Sequence, residues 1–320
     1  MTRRATKTQK RKKRDADAPR PEGGPKDGPR HGEAAREDAS VWGTEDVSSG
    51  KGAGDENFPV GSLLISRRLR PHVHAYYDFA RVIDDIVDTD RLSAEAKIAR
   101  LDAMEDVVLG RRQAPLRRDA QTAVRVGRTL AATGVPVTTA TDLIVAFRRD
   151  AVKSRYESWE ELVAYCRYSA NPVGRFLLLL HGEDAASLPL SDALCTSLQV
   201  LNHLQDCASD LRVLDRCYLP LPWLAREGAV LEDLGACRAS PRLRRVFDAL
   251  LDRVDELNAE AARLPSLVRD RRMRLESAVI VGLARRLAAR LRREDPLAGR
   301  VKLTRGDVAG AVLGALRVLP

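Results

Sequence analysis

Hydrophobic residues recur every three or four positions along most of this chain, from Glu56 to the last residues. This period places them on one face of a helix, and no segment shows the strict alternation of a half-buried strand. Gly and Pro interrupt the pattern at intervals, as they do between helices. Helices are therefore predicted over 70–88, 93–109, 117–132, 138–151, 158–181, 190–212, 241–263, 268–293 and 305–317. The simplest architecture is one all-α domain, residues 56–320, built around a central cavity.

Residues 1–55 lack this pattern and are rich in Gly, Pro and charged side chains. Such a composition cannot bury enough apolar surface to fold, so the segment is predicted to be a disordered tail. Eight of its first 14 residues are Lys or Arg. A solvated tail is the favoured interpretation of this basic run. Attraction to anionic lipid, which would give a peripheral membrane contact, is the alternative.

Charge and cysteine content narrow the class of protein. The 320 residues carry a net charge of +9, but residues 56–320 hold 41 basic against 35 acidic residues, so no nucleic-acid partner is expected. The five cysteines form no CxxC pair, which is typical of reduced thiols in a cytosolic protein. The sequence shows no secretory signal and no apolar run of about 20 residues. We therefore expect a cytoplasmic protein, with peripheral contact at the inner membrane surface as the alternative.

One polar stripe interrupts the apolar pattern of the first helix. Tyr77, Arg81, Asp84 and Asp88 follow one another at spacings of four, three and four, which places them on one face. The residues between them are largely apolar, which argues against a solvated acidic turn. Neighbouring like charges destabilise a bare helix, so the two aspartates indicate a nearby cation. Arg81 either forms a structural ion pair with them or grips a phosphate with its planar fork.

A second stripe of oxygen ligands lies much further along the chain. Asn202, Asp206 and Asp210 repeat at intervals of four, again within an apolar frame. Oxygen ligands of this kind suit Mg²⁺, which often bridges carboxylates to a substrate phosphate. Two buried helices with such stripes can face one another across a pocket and hold a diphosphate as it leaves. The residues alone therefore predict a magnesium-dependent diphosphate site.

Five segments, in this order, resemble the squalene/phytoene synthase family. They span nearly all of residues 56–300 and include both aspartate motifs and a small-residue segment between them. The resemblance implies the all-α isoprenoid-synthase fold, Mg²⁺ as the metal and prenyl diphosphates as substrates. The segments are ENFPV at 56–60, YDFARVIDDIVD at 77–88, YCRYSANPVGR at 165–175, NHLQDCASD at 202–210 and YLP at 218–220.

The resemblance also implies roles for single residues. Arg81 would contact the diphosphate, and Asn202 would support the metal ions. The expected ligands of those ions are Asp84, Asp88, Asp206 and Asp210. The other pocket or substrate-binding positions are Tyr77, Tyr165, Gln199, Gln205, Tyr218, Asn57 and Phe58.

Three departures from the family pattern resemble its hopanoid-pathway branch. Residues 56–59 stand where the family commonly has an SxSF-like sequence, and Asn171-Pro172 interrupts an AGTVG-like one. Gln205 replaces the Arg that often precedes Asp206, which removes a charged contact to diphosphate. The branch resemblance implies that presqualene diphosphate loses its diphosphate, rearranges as a cation and is captured by water to give hydroxysqualene. Such a protein would work alongside other enzymes of squalene and hopanoid biosynthesis.

The sequence leaves alternatives for two predictions, the role of Asn171-Pro172 and the reaction itself. Asn171, placed with Tyr165 and the four aspartates among the catalytic residues, is predicted to orient the water beside a kink at Pro172. Pro172 is equally expected to mark a helix boundary. For the reaction, the alternatives are head-to-head condensation of substrates such as farnesyl diphosphate, to presqualene diphosphate or phytoene, and a catalytically silent scaffold. The intact aspartates and Arg81 argue against the scaffold.

Overall fold

The computed structural model describes residues 41–43, 46–47 and 65–317, and within them the chain is almost entirely helical. The all-α class predicted from the sequence is confirmed. The helices are α1 (Arg70–Asp88), α2 (Ala94–Val108), α3 (Arg118–Thr133), α4 (Thr138–Asp150), α5 (Trp159–Ser169), α6 (Asn171–Leu180), α7 (Leu188–Leu214), α8 (Leu221–Glu227), α9 (Pro241–Ala261), α10 (Leu264–Leu267), α11 (Arg271–Leu291) and α12 (Arg305–Leu316). Two strands, β1 (Arg155–Tyr156) and β2 (Cys217–Pro220), and two short 3-10 turns, Ala185–Ser187 and Leu231–Gly235, complete the described elements.

Local sequence sets several of these helix boundaries. The Ser93 side chain accepts a hydrogen bond from the Ala96 N–H at the start of α2, and Ser240 accepts one from Leu243 at the start of α9. Such caps satisfy N–H groups that have no partner within the helix. Gly134 ends α3 with a φ of 70°, a left-handed conformation that glycine adopts without strain.

The segment predicted as one helix over 158–181 forms two helices. α5 ends at Ser169, α6 begins at Asn171, and Ala170 lies between them. Pro172 occupies the first turn of α6, where its missing N–H costs no hydrogen bond. Of the two alternatives for this residue, the helix boundary is therefore the one observed.

Two apolar clusters form most of the core, and α6 lies between them. The first cluster joins α1 to α4, and the second joins α5, α7, α9 and α11. Phe176 of α6 is buried in the first cluster, whereas Leu178 is buried in the second. Because neighbouring positions on a helix face different directions, this one short helix connects the two halves of the core.

Part of the segment predicted as a disordered tail is described and lies in the first cluster. Trp42 is only 2% exposed, and its carbonyl accepts a hydrogen bond from Arg117 Nη1 at 2.5 Å. The boundary predicted at residue 55 lies outside the described residues. So does the basic run at 1–14, whose disorder and lipid contact stay predictions.

A two-stranded parallel ladder joins the two halves of the chain near the core. β1 follows α4 and pairs with β2, which follows α7. The Cys217 N–H donates to the Ser154 carbonyl at 2.9 Å. The ladder therefore holds the C-terminal end of α4 close to the residues that come directly after α7.

α7 is the longest described helix, with 27 residues, and it packs against α6, α9 and α11. Its sequence carries both apolar residues and the second predicted stripe. Within residues 41–43, 46–47 and 65–317, neither α7 nor any other helix has the length and apolar character needed to cross a membrane.

Candidate active site

A cavity of about 470 Å³ lies between α1, α5, α6, α7 and α11. This volume is typical of small-molecule sites in proteins. Both core clusters contribute to its wall, so most of the lining is apolar. Representative apolar lining residues are Val73, Val173, Phe176, Leu194, Leu198 and Ile280.

Charged side chains gather at one end of the cavity. Along α1 the lining changes from Val73 to Asp88, and along α7 it changes from Leu194 to Asp210. Arg216, just beyond α7, donates to Asp88 Oδ1 at 2.7 Å, so both helices end on the same side. At 1.5 Å per residue, the stretch of α1 from Val73 to Asp88 is ~22 Å long. The cavity is therefore an elongated apolar space that leads to a charged end.

The first predicted stripe faces the cavity as a whole. Tyr77, Arg81, Asp84 and Asp88 all line it. Arg81 Nη1 lies 3.0 Å from Asp84 Oδ2, and Arg81 Nη2 lies 3.3 Å from Asp85 Oδ1. Asp85 was not singled out by the spacing, and it is buried beneath the stripe.

Asp84 is a carboxylate in an unfavourable electrostatic position. Burial, and then the like charge of Asp88, raises the pKa of Asp84 well above its ordinary value, against the opposing effect of Arg81. About 30% of its side chain remains exposed, and this part faces the cavity that it lines. A cation that enters the charged end would therefore stabilise the ionised form of Asp84.

The second predicted stripe is divided. Asp210 lines the cavity together with the first stripe. Asp206 instead forms an ion pair with Arg300, whose Nε lies 2.8 Å from Asp206 Oδ1. Neither Asp206 nor Asn202 belongs to the cavity wall as the described residues form it.

Gln205 and Asn171 contact the protein interior, outside this wall. Gln205 is buried, and its Nε2 donates to the Val301 carbonyl. Asn171 is also buried; oriented so that its amide nitrogen donates, it bonds the carbonyls of Cys166 and Asp192 at 3.3 and 3.2 Å. Their predicted roles at the substrate stay predictions, without a contact in this cavity to support them. Asn57 and Phe58 lie outside the described residues.

Tyr165 and Tyr218 line the cavity beside a buried carboxylate that the sequence pattern did not indicate. Tyr165 Oη donates to Asp150 Oδ2 at 2.6 Å. Burial raises the pKa of Asp150 to about 6, although Arg216 and the hydrogen bond from Tyr165 act in the opposite direction. Asp150 is the last residue of α4. The run of charged residues that it ends was the only feature of the sequence that pointed to it.

Arg216 is the second functional candidate that the spacing missed. It is 7% exposed, and its Nη2 donates to the carbonyls of Val87 and Asp150 at 3.1 and 3.3 Å. The one feature of the sequence that could have pointed to Arg216 is its position two residues before Tyr218. Its partner Asp88 lies 128 residues away, which no local pattern reveals.

Gln199 and His203 lie on α7 between its apolar and charged lining residues. Gln199 Nε2 lies 3.2 Å from His203 Nε2. The His203 ring stacks on Tyr218, with 3.5 Å between ring centroids and 15° between planes. Burial, and then the charge of Arg216, lowers the pKa of His203 to about 3, so its imidazole is neutral at pH 7.

Residues 52–307 match the family described as Squalene/phytoene synthase. The chain belongs to the squalene/phytoene synthase family. It is 43% identical over 271 residues to Hydroxysqualene synthase of Rhodopseudomonas palustris, which covers 85% of this chain and 91% of that protein. It is 40% identical to Hydroxysqualene synthase of Zymomonas mobilis, which covers 82% of this chain and 87% of that protein.

Solved structures of similar proteins have the same fold. The squalene synthase HpnC from Alicyclobacillus acidocaldarius is 37% identical, with a TM-score of 0.63, and the match covers 73% of this chain and 87% of that one. A dehydrosqualene synthase in complex with ligand is 21% identical, with a TM-score of 0.70, over 83% of this chain and 92% of that one. The predicted resemblance to this family and its helical isoprenoid-synthase fold are confirmed.

The charged end offers oxygen ligands that fit the Mg²⁺ expected of a squalene/phytoene synthase family member. Within the described part of the chain, no three Asp, Glu, His or Cys side chains converge to hold a metal ion by themselves. Mg²⁺, however, commonly takes one or two carboxylates and completes its shell with water and substrate phosphates. Asp84 and Asp88 on α1 and Asp210 on α7 supply such carboxylates.

Proposed function

We propose that this family member converts presqualene diphosphate to hydroxysqualene. The observation that carries the proposal is the cavity itself, whose wall runs for ~22 Å along α1 and changes from apolar residues near Val73 to aspartates and arginines near Asp88. A prenyl diphosphate combines an apolar chain with a charged head in the same way. Relatives with 40–43% identity that are named Hydroxysqualene synthase favour this reaction within the family.

The charged end would bind the diphosphate group and promote its departure. Arg81 and Arg216 line this end and provide positive charge close to the aspartates. Asp84, Asp88 and Asp210 would hold Mg²⁺, which when bound offsets the negative charge that develops on the leaving diphosphate. The ion pairs of Arg81 with Asp84 and of Arg216 with Asp88 keep these side chains in place before the substrate arrives.

The apolar wall would protect the cation that remains after diphosphate leaves. Side chains such as Phe176 and Leu198 offer no nucleophile and exclude bulk water. The aromatic rings of Tyr165 and Tyr218 line the same cavity, and the face of an aromatic ring attracts a nearby cation. Rearrangement would therefore finish before a single ordered water forms the alcohol.

Head-to-head condensation is the second candidate. It is favoured by matches at 26–32% identity to proteins named phytoene synthase, but these relatives are more distant than those named Hydroxysqualene synthase. A silent scaffold is disfavoured because Asp84 is kept beside the like charge of Asp88 at an apolar cavity, and this proximity raises the cost of ionising Asp84.

Separate incubations with two substrates distinguish these functions. Purified full-length protein is given presqualene diphosphate or farnesyl diphosphate, each with Mg²⁺ and with EDTA, and the extracted products are analysed by gas chromatography and mass spectrometry. We expect consumption of presqualene diphosphate only with Mg²⁺, and hydroxysqualene as the product. Consumption of farnesyl diphosphate alone would support condensation. Consumption of neither substrate by protein with an intact melting transition would support the scaffold.

A further inference from the structure

The water that ends the proposed reaction needs a defined position in the cavity wall. A water held apart from bulk solvent makes about three hydrogen bonds to polar groups. Several side chains of this wall are polar, so the candidates are those whose hydrogen-bonding groups are not already engaged within the protein. Asn171, the residue predicted for this task, bonds to Cys166 and Asp192 outside the wall.

Ser169 is a lining residue with an unused polar group. Its Oγ is buried and has no hydrogen-bond partner among the described residues. Buried hydroxyl groups in native proteins nearly always have a partner, which is often an ordered water. The orphaned Ser169 hydroxyl therefore indicates that a small polar molecule belongs next to it.

The helix register places Ser169 opposite Gln199. Tyr165 in α5 lies 6.0 Å from His203 in α7, measured between ring centroids, and the side-chain amide of Asn171, just beyond α5, lies 3.1 Å from Thr196 Oγ1 in α7. From the first contact to the second the residue numbers rise on the α5 side and fall along α7, so α5 and α7 run antiparallel. One turn further along α5 is Ser169, and one turn back along α7 is Gln199.

Gln199 also has an amide group to offer. Its Nε2 is engaged with His203 Nε2, and no partner of its Oε1 is present among the described residues. An amide nitrogen donates, so in this orientation Oε1 is left to accept. The stack of His203 on Tyr218 fixes the imidazole, and the imidazole in turn fixes the Gln199 amide.

We propose that Ser169 and Gln199 hold the water that captures the rearranged cation, with His203 as a positioning residue. Ser169 Oγ–H donates to the water oxygen, and one water O–H donates to Gln199 Oε1. The remaining lone pair of the water forms the C–O bond to the cation. The resulting oxonium loses its other proton to an oxygen of the released diphosphate, which leaves the neutral alcohol. This inference rests on the proposed function.

The location of this pair agrees with its task. Along α7, Gln199 lies between Leu198 on the apolar side and His203 and Asp210 towards the charged end. When diphosphate leaves, positive charge forms on the substrate near the charged end, and the rest of the substrate lies along the apolar part of the cavity. The water is therefore held at the junction, close to the positions where positive charge develops.

Product analysis of Ser169→Ala tests the proposal. The orphaned hydroxyl makes no hydrogen bond within the described residues, so this variant should fold with a melting temperature no lower than that of wild type. Wild type and variant are given presqualene diphosphate and Mg²⁺ in H₂¹⁸O, and the ¹⁸O-labelled alcohol is quantified against elimination products. We expect total consumption within a few-fold of wild type and an alcohol share about fivefold lower, since one hydrogen bond to the water is lost.

Further variants separate this role from a structural one. Ser277→Ala is the matched control, because Ser277 lines the same cavity but its Oγ already donates to the Met273 carbonyl at 2.8 Å; its alcohol share should not change. Gln199→Met should lower the share as Ser169→Ala does. His203→Phe, which keeps a ring for the stack on Tyr218 but loses Nε2, should lower it less.

Two results would overturn the inference, and they differ from failure of the proposed function. An unchanged alcohol share in both Ser169→Ala and Gln199→Met, from protein that consumes presqualene diphosphate, refutes the water site alone. A fall in Asn171→Ala with no change in those two variants assigns the water to Asn171 instead. If wild-type protein does not consume presqualene diphosphate, the proposed function fails, and the inference fails with it.

Discussion

Arg216 Nη1 donates to Asp88 Oδ1 at 2.7 Å, although 128 residues separate the two in the chain. Asp88 is the last residue of α1, and Arg216 lies between α7 and β2. The same guanidinium bonds the carbonyls of Val87 and Asp150. One side chain thus connects the ends of three helices at the charged end of the cavity.

The first prediction concerns the stability that this ion pair provides. Arg216→Met leaves the Asp88 carboxylate without its partner, so we expect the free energy of unfolding to fall by about 3 kcal/mol, the lower end for broken buried pairs. Urea denaturation at neutral pH measures the change. The double variant Arg216→Met/Asp88→Asn should recover part of the loss. Asp88→Asn alone completes the cycle, and a double-variant loss equal to the sum of the two single losses would show that the pair itself contributes nothing.

The second prediction separates activity from stability at the first stripe. Asp84→Asn removes a metal-binding oxygen and one of two like charges, so we expect turnover of presqualene diphosphate to fall by about 100-fold or more. The melting temperature of the metal-free protein should rise, because the ionised carboxylate is disfavoured there.

Asp78→Asn is the matched control for this substitution. Asp78 lies on the same helix, is 51% exposed and pairs with Arg125, away from the cavity. Its replacement should leave both turnover and melting temperature nearly unchanged. Full turnover in Asp84→Asn, or a fall in its melting temperature, would contradict the role given to Asp84.

The third prediction concerns the close approach of α6 to α7. A Cβ added at Gly174 would collide with Ser191 Oγ and would lie 2.6 Å from Cys195 Sγ. Gly174→Ala should therefore lower the free energy of unfolding by about 1–3 kcal/mol, as overpacking does. Gly235→Ala serves as the control, because a Cβ there meets nothing within 4 Å. Thermal melting that shows equal stability for both variants would mean that the Ser191 and Cys195 side chains move away from the added methyl group without cost.

The fourth prediction is a pH dependence that originates at Asp150. Burial raises its pKa to about 6, so the folded protein binds a proton there that the unfolded chain releases near pH 4. The stabilisation from this proton is complete below pH 4 and is lost as the pH rises through 6. Relative to wild type, Asp150→Asn should gain on the order of 3 kcal/mol between pH 4 and pH 7. Parallel pH profiles in urea denaturation would contradict this origin.

Local spacing predicted the first stripe because all of its members lie on one helix. A spacing of four advances a helix by about 400°, so each step drifts by about 40°. Tyr77 to Asp88 combines steps of three and four, which cancels most of this drift, and the whole stripe faces the cavity. Asn202, Asp206 and Asp210 use only steps of four, so this stripe drifts by about 80° around α7. Of the three, Asp210 alone lines the cavity, and Asp206 is paired with Arg300, a partner that the local spacing does not reveal.

Asp150, Arg216 and Ser169 were not predicted because their significance depends on distant contacts. Asp150 gains its importance from Tyr165 and Arg216, and Arg216 gains its importance from Asp88. The sequence indicates neither pairing. The same limit applied to Asn171, whose position beside Pro172 suggested access to the substrate. The break at Ala170 instead turns its amide towards α5 and α7.

The long sequence separation between Asp88 and Arg216 has a consequence for synthesis on the ribosome. Chains emerge from the N-terminus, and contacts between distant segments form late. A nascent chain that has completed α1 to α4 contains Asp88 but not Arg216, so this carboxylate lacks the guanidinium that later pairs with it. We therefore expect the N-terminal half to reach its final stability only after translation has passed β2.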